Sequence, residues 1–256
     1  MVDLHNKVVI VTGAGSGIGR EAALGFAKAG AWVFGADRDT AGLQQTSELV
    51  TSEGFRFSLS EVDVSRESDV ERFTDYVLGS AGRLDIAFNN AGITGETHRI
   101  EDYPVDDFDR VLAVNLRSVF LGMKFQIPAM LQSGGGAIVN TASVAAVTGP
   151  GGMSAYAASK HGVHGLTRVA AMENAARGIR INAIAPGWTE TPMVVANSHQ
   201  NPRFAELART AIPAKRGADP KEIAEAAIWL ASDAASYVIG QLLVVDGGMT
   251  IGGFEI

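Results

Sequence analysis

The sequence predicts an α/β fold, an open doubly wound parallel sheet of about seven strands with helices on both faces. Three observations carry this expectation. Short β-branched runs alternate with helical patterns along nearly the whole chain. The runs are continuously apolar rather than alternating, as in strands covered on both faces. A glycine cluster follows the first run at once and opens a helix.

The elements follow in order. KVVIVT is the first strand, and the next helix places Ala22, Ala23, Phe26 and Ala27 on one side. Gly30 stands where a left-handed residue would end that helix. AWVFGAD is the second strand and completes a β-turn-α-β unit. A helix over 40–52 leads to a strand over 55–62, and one over 67–80 leads to LDIAFNN. A single long helix over 105–131 leads to GAIVNTAS, and another over 154–177 leads to IRINAIAPG. A last helix over 221–231 leads to QLLVVDGG. Crossovers between parallel strands are right-handed, and ligands sit beyond the carboxyl ends of such strands. The chemistry is therefore expected just after each strand.

No linker divides the chain, so residues 1–256 read as one domain. The only long irregular stretch, 186–216, carries further prolines at 192, 202 and 213. A segment of that length inside a domain is usually functional, and a substrate lid is expected over about 187–216. Met193, Val194, Val195, Phe204 and Leu207 would supply its apolar side chains.

Composition narrows the functional classes. Hydrophobic residues make up 46% and charged residues 19%, which excludes disorder for most of the chain. A formal net charge of −7 lacks the electrostatic footprint of a nucleic-acid binder. With no Cys, disulfide scaffolds, thiolate zinc sites, iron–sulfur clusters and cysteine nucleophiles are ruled out. No metal site is expected, and His161 and His164 read as helix-surface or interface residues. The run Val8–Ile10 with Val11 is too short for a signal core. The apolar stretch 111–131 is broken by Arg117 and Lys124. A soluble, cytoplasmic protein without a membrane partner is expected.

After the first strand stands TGAGSGIG, with glycines at 13, 15, 17 and 19 spaced G-x-x-x-G-x-G. Glycines permit a tight turn and close approach to a pyrophosphate, and the helix start adds free N–H groups and a positive dipole end. Gly13, Ser16, Gly17, Ile18 and Gly19 are the candidate contacts. Asp37 ends the second strand, where a carboxylate accepts hydrogen bonds from adenosine ribose hydroxyls. Asp63 follows the third strand; it suits either an adenine contact or a turn, and spacing alone does not separate them. NNAG, from Asn89 through Ala91 to Gly92, follows the fourth strand and fits close passage of a cofactor. Ser143 follows the fifth, and PGWTET the sixth, with Pro186, Gly187, Thr189 and Thr191 as candidates. In YAASK, Tyr156 and Lys160 are four apart and so share a helix face.

With these motifs in this order, from TGAGSGIG to VVDGG, the chain resembles the short-chain dehydrogenase/reductase family. The resemblance implies a Rossmann-type fold and a catalytic set of Asn115, Ser143, Tyr156 and Lys160. It implies that Tyr156 is the general acid/base, that Ser143 bonds the substrate oxygen, and that Lys160 holds the nicotinamide ribose. It further implies that Asn115 ties Lys160 to solvent, and that NNAG steadies the central sheet. Asp63 with Val64 matches the adenine-side pair, and Thr191 a contact near the nicotinamide. It also implies a homotetramer, and Phe120, Met123 and Val163 are apolar residues beyond what one sheet face needs.

The expected activity is hydride transfer between NAD(H) and a secondary alcohol or ketone. The alternatives are an NADP(H)-dependent 3-oxoacyl thioester reductase and, in another class, a non-catalytic dinucleotide sensor. NAD is expected because Asp37 would face a 2′-phosphate. An ammonium about 5 Å from the Tyr156 phenol contributes ~3 kcal/mol at an effective dielectric near 20, roughly 2 pKa units, and the positive nicotinamide ring of the oxidised cofactor pushes the same way, so an apparent pKa of about 7 to 8 is expected.

Overall fold

A computed structural model describes residues 2–195, 210 and 212–251. Seven strands form one parallel sheet: β1 (Val8–Thr12), β2 (Trp32–Asp37), β3 (Phe57–Glu61), β4 (Ile86–Asn89), β5 (Gly136–Thr141), β6 (Ile179–Pro186) and β7 (Leu242–Val245). Their order is β3-β2-β1-β4-β5-β6-β7. The chain builds outward from β1 in one direction, then returns to lay β4 on its other side. The crevice between the β1 and β4 ends is therefore the topological switch point, where ligands bind in sheets of this type.

Alternate residues of each strand feed two separate cores. Val9 and Val11 of β1 join the layer beneath helices α1 (Gly17–Lys28) and α7 (Pro220–Ala231), with Phe26 and Ile223. Val8 and Ile10 join the opposite layer with α3 (Glu67–Ala81), α5 (Ser118–Gln132) and α6 (Ser154–Asn174), through Phe73, Met130 and Val163. Burial on both faces is why the strands read as unbroken apolar runs. Helix α2 (Thr40–Ser52) packs on β3, and its N-terminus is capped by Asp39 accepting from the Gly42 N–H. Gly30 follows α1 with φ +99°, as expected of a residue ending that helix.

The long helix expected over 105–131 is not continuous. It divides into α4 (Val105–Leu112), a five-residue π-helical segment (Ala113–Arg117) and α5. A π turn inserts one residue into the helical ladder and re-aims the side chains there. The inserted segment contains the buried Asn115. The helix expected over 154–177 ends as α6 at Asn174, followed by a 3₁₀ turn to Arg177. Met123 and Val163 are core residues, 4% and 0% exposed, and so do not form an outer apolar face; Phe120, at 49%, does. Among the described residues no helix is long and apolar enough to cross a membrane. Phe204 and Leu207 of the expected lid lie outside the described residues.

Candidate active site

One cleft opens at the switch point, and nearly every candidate residue lines it. Gly13, Ser16, Gly17 and Ile18 come from the turn after β1, and Asp37 from the end of β2. Asp63 and Val64 follow β3, and Ala91 and Gly92 follow β4. Ser143, Tyr156 and Lys160 also line it, together with Pro186, Gly187, Thr189 and Thr191 from the end of β6 and the segment after it. Three candidates stand behind the wall rather than in it: Gly19, Asn89 and Asn115.

The glycine turn is closely packed at Gly13 and Gly19. Gly13 has φ +69°, and a Cβ there would lie 3.0 Å from the Ala91 Cα. Gly19 acts by packing, because its Cβ would fall 1.9 Å from the Gly13 carbonyl oxygen. Ser16 begins α1 in extended geometry and makes no side-chain cap. The helix start thus has no cap from the Ser16 side chain, and Ser16, Gly17 and Ile18 line the cleft, an arrangement compatible with an anion there.

Asp37 is held by both oxygens. Oδ2 accepts from the Gly15 N–H at 2.8 Å and Oδ1 from the Asp39 N–H at 3.0 Å. Asp63 is a turn residue at the edge of the cleft. It lines the cleft, and its Oδ1 also accepts from the Ser65 hydroxyl at 2.6 Å and N–H at 3.0 Å, which holds its carboxyl below the usual range. Asn89 turns away into the sheet. Its amide exchanges bonds with Gln126 and donates to Asn140, so it steadies the strands from behind. Its neighbour Asn90 lines the cleft instead, and both the Asn90 and Ala91 N–H groups donate to the Thr12 hydroxyl.

At the other end, Tyr156 and Lys160 stack on one face of α6. The Lys160 Nζ lies 5.6 Å from the Tyr156 ring centre and donates to the Thr141 carbonyl at 2.8 Å. Burial lowers the Lys160 pKa to about 8. Burial also pushes the Tyr156 phenol up, while its hydrogen bond with Ser143 draws it back. The expectation of about 7 to 8 is one for the complex with the oxidised cofactor; in the protein by itself the phenol is shifted upward. Desolvation of the charged forms drives both shifts, with Lys160 3% exposed and Tyr156 half-buried.

Asn115 does not bond Lys160 through its side chain. Its Oδ1 accepts from the Ile93 N–H at 2.8 Å, and its Nδ2 donates to the Ile93 carbonyl at 2.8 Å and the Ser159 hydroxyl at 3.1 Å. Ser159 in turn donates to the Tyr156 carbonyl. Asn115 therefore couples the segment after NNAG to the helix that bears Tyr156. Thr12, Ile93 and Thr141 were not singled out in the sequence. Ile93 and Thr141 act through main-chain groups, which carry no residue-type signal; the Thr12 hydroxyl sits at the end of a strand motif, where its role is readable only from the neighbouring strand.

A helix start able to hold phosphates at one end of the cleft, and a phenol beside an ammonium at the other, suit a dinucleotide and a transferable proton. The class is that of dinucleotide-dependent oxidoreductases. Residues 13–250 match the family described as Enoyl-(Acyl carrier protein) reductase. The chain is 39% identical over 247 residues to cyclohexanol dehydrogenase of Acinetobacter sp. (strain SE19), covering 96% of both. It is 42% identical over 252 residues to levodione reductase of Leifsonia aquatica, covering 96% of this chain and 94% of that one. A crystal structure of levodione reductase superposes with a TM-score of 0.93 over 98% of this chain and 100% of the other, at 40% identity. The chain belongs to the short-chain dehydrogenase/reductase family, whose members are oxidoreductases using a nicotinamide dinucleotide.

Proposed function

We propose that this protein transfers a hydride between NAD(H) and the carbinol or carbonyl carbon of a small, uncharged, alicyclic secondary alcohol or ketone. The convergence of the Tyr156 phenol, the Ser143 hydroxyl and the Lys160 ammonium on one end of the cleft carries this reading. The bound nicotinamide supplies or accepts the hydride. Tyr156 gives its proton to the substrate oxygen in reduction and takes it back in oxidation. Ser143 donates a hydrogen bond to the same oxygen. Lys160 holds the nicotinamide ribose, and Asn115 keeps the Tyr156 helix in register with the cofactor floor.

The substrate class rests on the lining. Ile93, Val114, Met193 and Val194 line the cleft and offer no fixed charge. Such a surface favours an apolar ring over a carboxylate or phosphate. The names of the relatives, cyclohexanol dehydrogenase and levodione reductase, are in keeping with an alicyclic substrate. A protein-borne acyl thioester is disfavoured, since acyl carriers are acidic and this chain already carries a net charge of −7. A panel of alicyclic alcohols and ketones, assayed by NADH absorbance, tests the assignment. Turnover of acetoacetyl thioester in preference to every alicyclic ketone would replace it with the thioester reading. NADH binding without turnover of either class would favour a sensor.

NAD(H) is expected over NADP(H), because the Asp37 carboxylate lines the cleft and would face a 2′-phosphate on a ribose bound beside it. Like charges about 4 Å apart repel by ~1 kcal/mol in water and ~4 kcal/mol at an effective dielectric near 20, roughly tenfold to a thousandfold in affinity. Equal kcat/KM for the two cofactors would refute the preference.

A homotetramer is proposed on the outer faces of α5 and α6, where Phe120, Val169 and Met172 are 49%, 57% and 86% exposed. Light scattering at micromolar concentration is expected to give four times the chain mass, and a monomer would contradict it.

A further inference from the structure

Behind Asp37 lies an arginine that does not line the cleft. Arg20, in the first turn of α1, donates from Nε to the Thr46 hydroxyl at 3.0 Å. Its Nη2 reaches three more acceptors: the Gly15 carbonyl at 2.5 Å, the Gly42 carbonyl at 3.1 Å and the Gln45 side chain at 3.0 Å. The buried Thr46 hydroxyl sits 2.8 Å from the Ala14 carbonyl. Arg20 thus ties the glycine turn to the first turns of α2.

The same two segments enclose Asp37. Gly15 donates its N–H to Oδ2, Asp39 donates its N–H to Oδ1, and Gly42 donates its N–H to the Asp39 carboxylate at 3.1 Å. The contacts close a ring through Asp37, Gly15, Arg20, Gly42 and Asp39. The segments touch directly, since a Cβ on Gly42 would lie 2.8 Å from the Gly15 carbonyl oxygen and one on Gly15 would lie 2.9 Å from Asp37 Oδ2.

We propose that Arg20 is a positioning residue for dinucleotide selection, clamping α2 onto the glycine turn so that the Asp37 carboxylate stays aimed at the ribose. The proposal rests on the NAD reading above. Charge repulsion discriminates only if the repelling group cannot turn aside, because a mobile carboxylate relaxes away from a 2′-phosphate. Arg38 lines the cleft beside Asp37 and offers a guanidinium to that phosphate once the carboxylate moves. Arg20 joins both walls of the ring, with the Thr46 hydroxyl beside it bonding the Ala14 and Gly42 carbonyls, and a planar fork can hold several acceptors at once where an ammonium cannot.

The test is the ratio of NADPH to NADH dissociation constants, measured by fluorescence titration of the full chain. Wild type is compared with Arg20→Gln, Arg20→Lys, Thr46→Val and Asp37→Ser. Both Arg20 variants should narrow the preference for NADH by about fivefold to tenfold, corresponding to the net worth of about one ordinary hydrogen bond. Thr46→Val should move it the same way by less, and provides the reading if an Arg20 variant does not fold. General loosening would weaken both cofactors alike and leave the ratio unchanged, which would overturn the proposal if Asp37→Ser moves it. An unchanged ratio in Asp37→Ser would overturn the NAD reading itself. A selective loss of NADPH binding in Arg20→Gln would make Arg20 a phosphate attractor rather than a brace. A shift in Arg20→Gln that is absent in Arg20→Lys would assign the effect to charge and likewise overturn the bracing role.

Discussion

Replacing Tyr156 with Phe is expected to abolish turnover while NADH still binds. The substitution keeps the ring and removes only the group that exchanges a proton with the substrate oxygen. General acid–base catalysis contributes about 10²- to 10⁴-fold, so the loss should be at least of that order. The half-buried ring lies over the Lys160 ammonium at 5.6 Å, a contact that Phe retains. The pH dependence of the parent enzyme follows from the same phenol. Oxidation of the alcohol needs the phenolate, so its rate should rise with pH; reduction needs the phenol, so its rate should fall. Burial pushes the Tyr156 pKa upward in the protein by itself, so the free protein should hold Tyr156 as a phenol throughout the neutral range. Tyrosinate absorbance of wild type against Tyr156→Phe would show this directly. A Tyr156→Phe enzyme with near-normal kcat would remove Tyr156 from the reaction. An oxidation rate flat from about pH 6 to 10, with chemistry rate-limiting, would refute the titration argument alone.

Replacing Lys160 with Met is expected to cripple rate and cofactor affinity yet leave the fold at least as stable at pH 7. The buried ammonium has its pKa lowered from 10.5 to about 8 by desolvation. That difference corresponds to about 3 kcal/mol of destabilisation carried by the charged form. Removing it forfeits the hydrogen bond to the Thr141 carbonyl, worth about 1.5 to 3 kcal/mol, so the two changes nearly offset. The pH dependence distinguishes this balance from simple repacking. Between about pH 8 and 10.5 the unfolded chain binds more protons at Lys160 than the folded one, so wild-type stability gains with rising pH from this group. Lys160→Met lacks the gain, and its relative stability should decline across that window. Tyr156, raised in both proteins, acts the opposite way above its ordinary value near 10 and largely cancels in the comparison. Urea midpoints of the two proteins at pH 7 and 10 provide the measurement. A Lys160→Met protein much less stable at pH 7, with no change in the difference at pH 10, would show that the lysine is a net structural asset.

Local pattern and periodicity were enough to read the seven strands, the glycine turn, the end of α1 at Gly30, and the carboxyl-edge placement of Asp37, Ser143, Tyr156 and Lys160. Each depends on interactions within a few residues, or on a strand buried on both faces, and such features leave a mark in residue order. The π segment at Ala113–Arg117 was not read from the apolar pattern, because a π turn changes main-chain hydrogen bonding and is not confined to particular residue types. Tertiary structure alone decided that Asn115 pairs with Ile93, that Asn89 faces Gln126 rather than the cleft, and that Lys160 meets the Thr141 carbonyl. It also decided the direction in which Tyr156 and Lys160 titrate. Main-chain acceptors look alike in every residue, and desolvation depends on atoms brought from distant segments. Both are set by packing in three dimensions rather than by the order of side chains along the chain.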